Sequence, residues 1–89
     1  MKNLKDQIQS VVDTYKKGNL IKAENICKEL LSKNPKMVFL YNLLGLIYTS
    51  QKKIDLAIKN YEEGIKIDPK FGIIYSNLGL IYFNVNEYK

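Results

Sequence analysis

The side chains that could perform catalysis are few in this 89-residue chain, and they are not spaced for it. The sequence contains one cysteine, Cys27, and no histidine, so no Cys/His or Ser/His/Asp nucleophilic set can be assembled. The adjacent carboxylates Glu62 and Glu63 would point in different directions on a helix, which disfavours a general acid–base pair. The sequence therefore predicts a protein that is not an enzyme and that uses no cofactor.

Metal binding and phosphate binding also lack their usual residue patterns. A metal site needs more than a lone thiol and scattered acidic residues. Gly45 and Gly79 are expected inside helices, so they do not form a glycine-rich phosphate loop. We therefore interpret Cys27 as a small buried core residue and expect no metal ligands.

The charge of the chain is strongly basic but mixed along the sequence. The chain has fourteen lysines, nine acidic residues and a net charge of +5, with no arginine. The lysines alternate with acids such as Glu24, Glu29 and Asp55, which is typical of a solvated surface. Arginine is the side chain that usually binds phosphate in a bidentate manner. RNA binding therefore remains only the less favoured alternative to protein binding.

Three features of the sequence indicate the compartment. A single thiol cannot form an internal disulfide, and the N-terminus lacks the apolar run of a signal peptide. The longest apolar stretch, from Met37 to Tyr48, is interrupted by Asn42 and is too short to cross a bilayer. We therefore expect a cytoplasmic protein with no membrane partner.

Apolar residues recur with the spacing of amphipathic helices along the whole chain. Gly18, Pro35 and Pro69 mark breaks between these segments. No sustained alternation of apolar and polar residues predicts a strand. The sequence therefore predicts an all-α fold of five antiparallel helices, with Asn86 opening a sixth. The predicted helices cover about 4–15, 20–31, 37–50, 54–67 and 71–84.

A 34-residue repeat organises these helices. The eight residues 41–48 return as residues 75–82 with six identities, and Pro35 returns as Pro69 at the same distance. Ala23 likewise returns as Ala57. A period of this size indicates one supersecondary unit stacked on copies of itself.

The residues of this repeat resemble the tetratricopeptide-repeat family. The match consists of Tyr41-x2-Leu44-Gly45-x2-Tyr48, then Ala57-x3-Tyr61, then Pro69. The resemblance implies a right-handed stack of antiparallel helix-turn-helix repeats, an α-solenoid. We expect a single domain, 1–89, with repeats at about 4–37 and 38–71 and a partial repeat at 72–89.

Small and aromatic residues at repeated positions predict how the helices pack. A glycine inside a helix costs about 1 kcal/mol relative to alanine, so Gly45, Gly64 and Gly79 indicate close contacts between helices. We expect the repeated tyrosines to insert between helices. These tyrosines are Tyr41, Tyr48, Tyr61, Tyr75 and Tyr82.

The resemblance also implies a binding site, because members of the family bind proteins in a concave groove lined by the first helix of each repeat. We expect the partner to be a peptide or a helix of another protein. The alternative is that the apolar residues at these positions only contact one another across neighbouring helices. The expected groove residues are Ile8, Val12, Tyr15, Phe39, Asn42, Leu46, Ile73, Asn77, Leu80 and Phe83.

The last helix adds a second expectation, because the helix that would pair with it is missing from the sequence. We expect Leu78, Ile81 and Tyr82 to form an exposed apolar face through which the chain self-associates into a homo-oligomer. The alternative is that the chain is the N-terminal repeat array of a larger enzyme, such as a transferase.

Overall fold

The computed structural model describes the backbone of residues 3–87 and the side chains of residues 3–84. This part of the chain forms five α-helices and no strand. Helices adjacent in sequence pack against each other, and α5 also contacts α3. The prediction of an all-α helical repeat is confirmed. The helices are α1 (Leu4–Lys16), α2 (Leu20–Lys33), α3 (Val38–Ser50), α4 (Ile54–Ile67) and α5 (Gly72–Glu87).

The end of α5 differs from the prediction. The sequence predicts a sixth helix opening at Asn86, but α5 continues through this residue to Glu87. The last two residues of the predicted sixth helix, Tyr88 and Lys89, lie outside the described residues. Asp68 is the C-cap of α4, and its Oδ1 accepts a hydrogen bond from the backbone N–H of Lys70 at 3.1 Å.

The turns after α1 and α3 have the same geometry at positions 34 residues apart. Gly18 has a φ of 84° and Lys52 a φ of 66°, so both lie in the left-handed region. The N–H of Gly18 donates to the carbonyl of Tyr15 at 2.9 Å, and that of Lys52 donates to the carbonyl of Thr49 at 3.0 Å. These bonds satisfy carbonyls at the ends of α1 and α3 and direct the chain back along the preceding helix.

Close contacts at glycine hold α3, α4 and α5 together. Tyr61 of α4 is 1% exposed and covers Gly45 of α3, where an added methyl group would lie 2.6 Å from Cζ of the ring. A methyl group on Gly64 of α4 would lie 2.6 Å from Cδ1 of Ile74 in α5. The predicted close approach is therefore confirmed at Gly45 and Gly64. It is wrong for Gly79, which has no described atom within 4 Å of the corresponding position.

The repeated tyrosines divide into a buried and an exposed group. Tyr48 and Tyr61 are buried, in agreement with the prediction, and Tyr41 is half-buried. Tyr75 and Tyr82 of α5 are 47% and 49% exposed, so the prediction that they insert between helices is wrong within the described chain. The reason is that α3 packs against α2, α4 and α5, whereas the described part of α5 packs mainly against α4 and α3.

Candidate functional site

Two side-chain hydrogen bonds join the first helices of successive repeats. The hydroxyl groups of Tyr15 in α1 and Ser50 in α3 lie 3.1 Å apart. Nδ2 of Asn77 in α5 donates to Oδ1 of Asn42 in α3 at 2.8 Å. Both bonds span 35 residues, one more than the repeat, so each joins neighbouring positions on successive first helices. We call the surface of α1, α3 and α5 that carries the ten predicted groove residues the three-helix face.

Apolar exposure on the three-helix face increases from α1 to α5. Ile8, Val12 and Tyr15 of α1 are half-buried and pack against the core. On α3, Leu46 is half-buried and Phe39 is 38% exposed. The groove residues of α5 extend furthest into solvent, where Ile73 is 58%, Leu80 59% and Phe83 65% exposed. The structure therefore concentrates the accessible apolar surface of this face on α5 and the adjoining part of α3.

Asn42 does not line an open groove. The residue is 5% exposed, and its side-chain oxygen is occupied by the hydrogen bond from Asn77, which is half-buried. In this structure α5 therefore covers Asn42 and occupies its side-chain oxygen. The asparagine pair instead fixes the relative position of α3 and α5, and so positions the exposed apolar residues beside it.

A second exposed surface lies on the outer flank of α5, which we define as Gly72, Tyr75, Gly79 and Tyr82. Neither glycine has a described atom within 4 Å of its Cβ position, and both tyrosines are about half exposed. No charged residue occurs in α5 before Glu87. The flank is thus an uncharged surface of two rings and two glycines.

Two of the three residues predicted for self-association do not lie on this flank. Leu78 is 8% exposed and Ile81 is 4% exposed, because together with Ile74 they form the stripe of α5 that is buried in the core. Only Tyr82 is exposed as expected. Sequence reasoning missed Tyr75 and Gly79 as surface residues because their counterparts on α3 belong to a helix covered on more sides.

Glu24 of α2 is the most extensively hydrogen-bonded carboxylate in the described part of the chain. Its Oε2 accepts a hydrogen bond from the hydroxyl of Tyr48 at 3.2 Å and lies 3.5 Å from Nζ of Lys28. Its Oε1 accepts from Nε2 of Gln51 at 3.0 Å. Burial opposes ionisation, but the bonds from Gln51 and Tyr48 and the charges of Lys28 and Lys53 together outweigh it, so the pKa of Glu24 is lowered. The carboxylate joins α2 to the end of α3.

The one thiol of the chain lies in the hydrophobic core. Cys27 is fully buried, its Sγ lies 3.5 Å from the carbonyl oxygen of Leu40, and burial raises its pKa to about 12. The thiol is therefore neutral at physiological pH, and its interpretation as a core residue is confirmed. Among the side chains of residues 3–84, no three metal-ligating groups cluster, and within residues 3–87 no helix is long and apolar enough to span a bilayer.

Comparisons with known proteins match the repeat pattern. A family model described as a TPR repeat matches residues 45–86. The uncharacterized protein ycf37 of Pyropia yezoensis is 33% identical over 60 residues, which cover 67% of this chain and 34% of the relative. The matched region thus spans about a third of the length of that relative. No solved structure matches the chain.

Proposed function

Because the chain belongs to the tetratricopeptide-repeat family, whose members act as protein-interaction modules, we propose that its three-helix face binds a peptide or a helix of a partner protein. The apolar residues of α5 and α3 supply the contact area, and the Asn77–Asn42 bond holds these helices in place. The interaction needs no catalytic group, and the chain acts in it as a non-enzymatic binding module.

The observation that carries this proposal is the exposure of large apolar side chains along adjacent helices. Ile73 and Leu80 lie seven residues apart, about two helical turns, so they occupy the same side of α5. Phe39 of α3 is exposed on the same three-helix face. Burying apolar surface stabilises a complex by roughly 25 cal/mol per Å². A peptide with apolar residues at helical spacing, or an extended apolar segment, would gain this free energy on the three-helix face.

The proposal is tested by selecting binders from a displayed library of short peptides and measuring their affinity by fluorescence anisotropy. We expect Leu80→Asp and Leu46→Asp each to weaken binding at least about tenfold, since a carboxylate cannot be buried against an apolar ligand without cost. Ile21→Asp is the matched control, because Ile21 is 72% exposed and lies on α2, outside the three-helix face.

Circular dichroism should show that Leu80→Asp keeps the helical content, because the side chain is 59% exposed in the free protein. Unchanged affinity in both variants of the three-helix face would overturn the proposal. An equal loss in Ile21→Asp would also overturn it, because binding would then depend on general surface hydrophobicity.

A further inference from the structure

The space beside Gly79 on the outer flank of α5 is empty of described atoms, whereas the equivalent space beside Gly45 on α3 is filled. Gly79 lies 34 residues after Gly45, whose position is covered by the buried ring of Tyr61. At Gly79 the equivalent space is empty of described atoms to 4 Å. The aromatic residue three positions further on is also different, because Tyr82 is 49% exposed while its counterpart Tyr48 is 5% exposed. The packing of α4 on α3 therefore shows that a tyrosine ring fits over such a glycine.

The four residues of the outer flank have the spacing of the core positions of a coiled coil. Gly72, Tyr75, Gly79 and Tyr82 are separated by three, four and three residues, which makes the glycines a positions and the tyrosines d positions. In an antiparallel pair of identical helices, each a residue shares a layer with a d residue of the other helix. Each layer would then combine one large ring with one residue that has no side chain.

We propose that α5 pairs in antiparallel orientation with α5 of a second copy of this chain, forming a symmetric dimer along the outer flank. In the register that places Tyr75 beside the second copy's Gly79, Tyr82 lies beside the second copy's Gly72. All four ring–glycine layers therefore form together. A parallel pair would instead place glycine beside glycine and tyrosine beside tyrosine, leaving gaps and crowded layers in alternation. The surface is thus complementary to itself, as a two-fold interface requires.

The distribution of charge also supports a second copy as the occupant. The chain carries a net charge of +5, which opposes association of identical molecules. Residues 72–84 contain no lysine or acid, so the flank itself adds no repulsion between copies. In the described chain α3 also lacks charged residues, but α3 is covered by its neighbours.

The exposed area indicates a weak dimer. A half-exposed tyrosine offers roughly 100 Å² to a partner, and the flank with Phe83 beside it offers about 400 Å² per copy. A stable interface of standard size buries about 800 Å² on each side. We therefore expect a dissociation constant on the order of 10 μM, and a dimer that leaves Ile73 and Leu80 accessible on the three-helix face.

The first test measures molar mass by analytical ultracentrifugation of the 89-residue chain from roughly 1 μM to 1 mM. We expect the mass to rise from 10.3 kDa toward twice that value. Gly79→Leu should weaken dimerisation at least about tenfold, because the leucine occupies the space of the incoming ring. Nonspecific hydrophobic association would instead strengthen with this added apolar surface. Ser32→Leu, which adds the same side chain to the exposed surface of α2 without changing the net charge, should leave the dimer unchanged.

The second test mixes two defective variants. Gly79→Leu overfills the two layers in which Tyr75 of one copy meets residue 79 of the other, whereas Tyr75→Ala removes the ring from them. Each variant alone should therefore remain monomeric over the concentration range of the first test. In the mixture, one layer has the native ring and glycine, and the other pairs leucine with alanine. We expect the mixed dimer to form at least about tenfold more tightly than either homodimer, a gain that misfolding of a variant cannot produce.

The remaining controls identify the outcomes that overturn the proposal. Tyr75 also donates a hydrogen bond to the carbonyl of Pro69 at 2.9 Å, so Tyr75→Phe separates the ring from the hydroxyl and should keep the dimer. A monomer at all concentrations would contradict the pairing and would leave the flank to another occupant. A dimer that is broken by Leu80→Asp but tolerates Gly79→Leu would place the interface on the three-helix face instead.

Discussion

Glu24 shows how one side chain can couple two consecutive repeats. The residue belongs to α2, while the donors Tyr48 and Gln51 lie at the end of α3 and just after it. The hydrogen bonds that a carboxylate accepts offset part of the free energy that it loses on desolvation. Removal of its charge weakens these bonds and leaves the donors poorly satisfied. The sequence placed Glu24 among the surface charges, because nothing in its local pattern reveals donors 24 and 27 residues away.

Glu24→Gln should lower the free energy of unfolding by about 1 kcal/mol at neutral pH, because the amide weakens bonds made to a charged acceptor. The lowered pKa of Glu24 determines the pH dependence of this loss. The stabilisation is fully present above the unfolded-state pKa near 4.5 and disappears as the pH falls through the lower folded-state value. Urea unfolding of both proteins from pH 7 to pH 3 should show the difference shrinking in this acidic range.

Glu29→Gln is the matched control for this measurement. Glu29 lies on the same helix and pairs with Lys33 at 3.6 Å, but both side chains are 69% exposed. Exposed pairs contribute little, so we expect a change of less than about 0.5 kcal/mol. An equal effect of the two substitutions would show that net charge, and not the hydrogen bonds of Glu24, determines the result.

The left-handed backbone of Lys52 gives a second prediction at the scale of one residue. Gly18 occupies the equivalent turn, and a residue with a Cβ is strained there. Lys52→Gly should raise the free energy of unfolding by about 0.5 kcal/mol, since relief of strain exceeds the added entropy of the unfolded chain. Gly18→Lys should lower it by about 1 kcal/mol. Denaturant titration of the two variants should show opposite shifts of the midpoint, and shifts of equal sign would contradict the assignment.

At the scale of the helix, the same substitution should have opposite effects at two repeat-equivalent glycines. Gly45→Ala should lower the free energy of unfolding by about 1–3 kcal/mol, because the buried ring of Tyr61 cannot move away easily. Gly79→Ala should raise it by roughly 0.5–1 kcal/mol, because alanine favours helix and no described atom opposes its methyl group. Thermal unfolding at low protein concentration measures both changes. A lower free energy of unfolding for Gly79→Ala would show that this position is already covered in the monomer.

The helices themselves were predictable because their signals are local. Apolar spacing and the breaks near Gly18, Pro35 and Pro69 depend only on neighbouring residues, and the five helices follow them closely. The end of α5 was not predictable in this way, because the repeat favours a turn near Asn86 and the helix continues. The repeat also led to the wrong prediction that Tyr75 inserts between helices. Identical residues of two repeats are buried or exposed according to which helices pack against them.

At the scale of the whole molecule, the candidate site was predicted only in part. Family resemblance indicated which helices form the three-helix face, and Ile73 and Leu80 are exposed there. The same reasoning could not anticipate that Asn77 would pack over Asn42, because their interaction joins different repeats with an offset of one residue from the 34-residue period. Contacts between repeats thus determine which residues of the repeated pattern remain available to a partner.

The narrow attachment of α5 has a consequence for the protection of its backbone amides. This helix is held by one buried stripe, formed by Ile74, Leu78 and Ile81, and by the Asn77–Asn42 hydrogen bond, whereas α3 is enclosed on several sides. Local opening should therefore release α5 before the rest of the stack, and its amide protons should exchange with deuterium faster than those of α3. Any molecule that covers the outer flank must slow this exchange selectively. Deuterium uptake along α5 would then report occupancy of the flank without a label or a substitution.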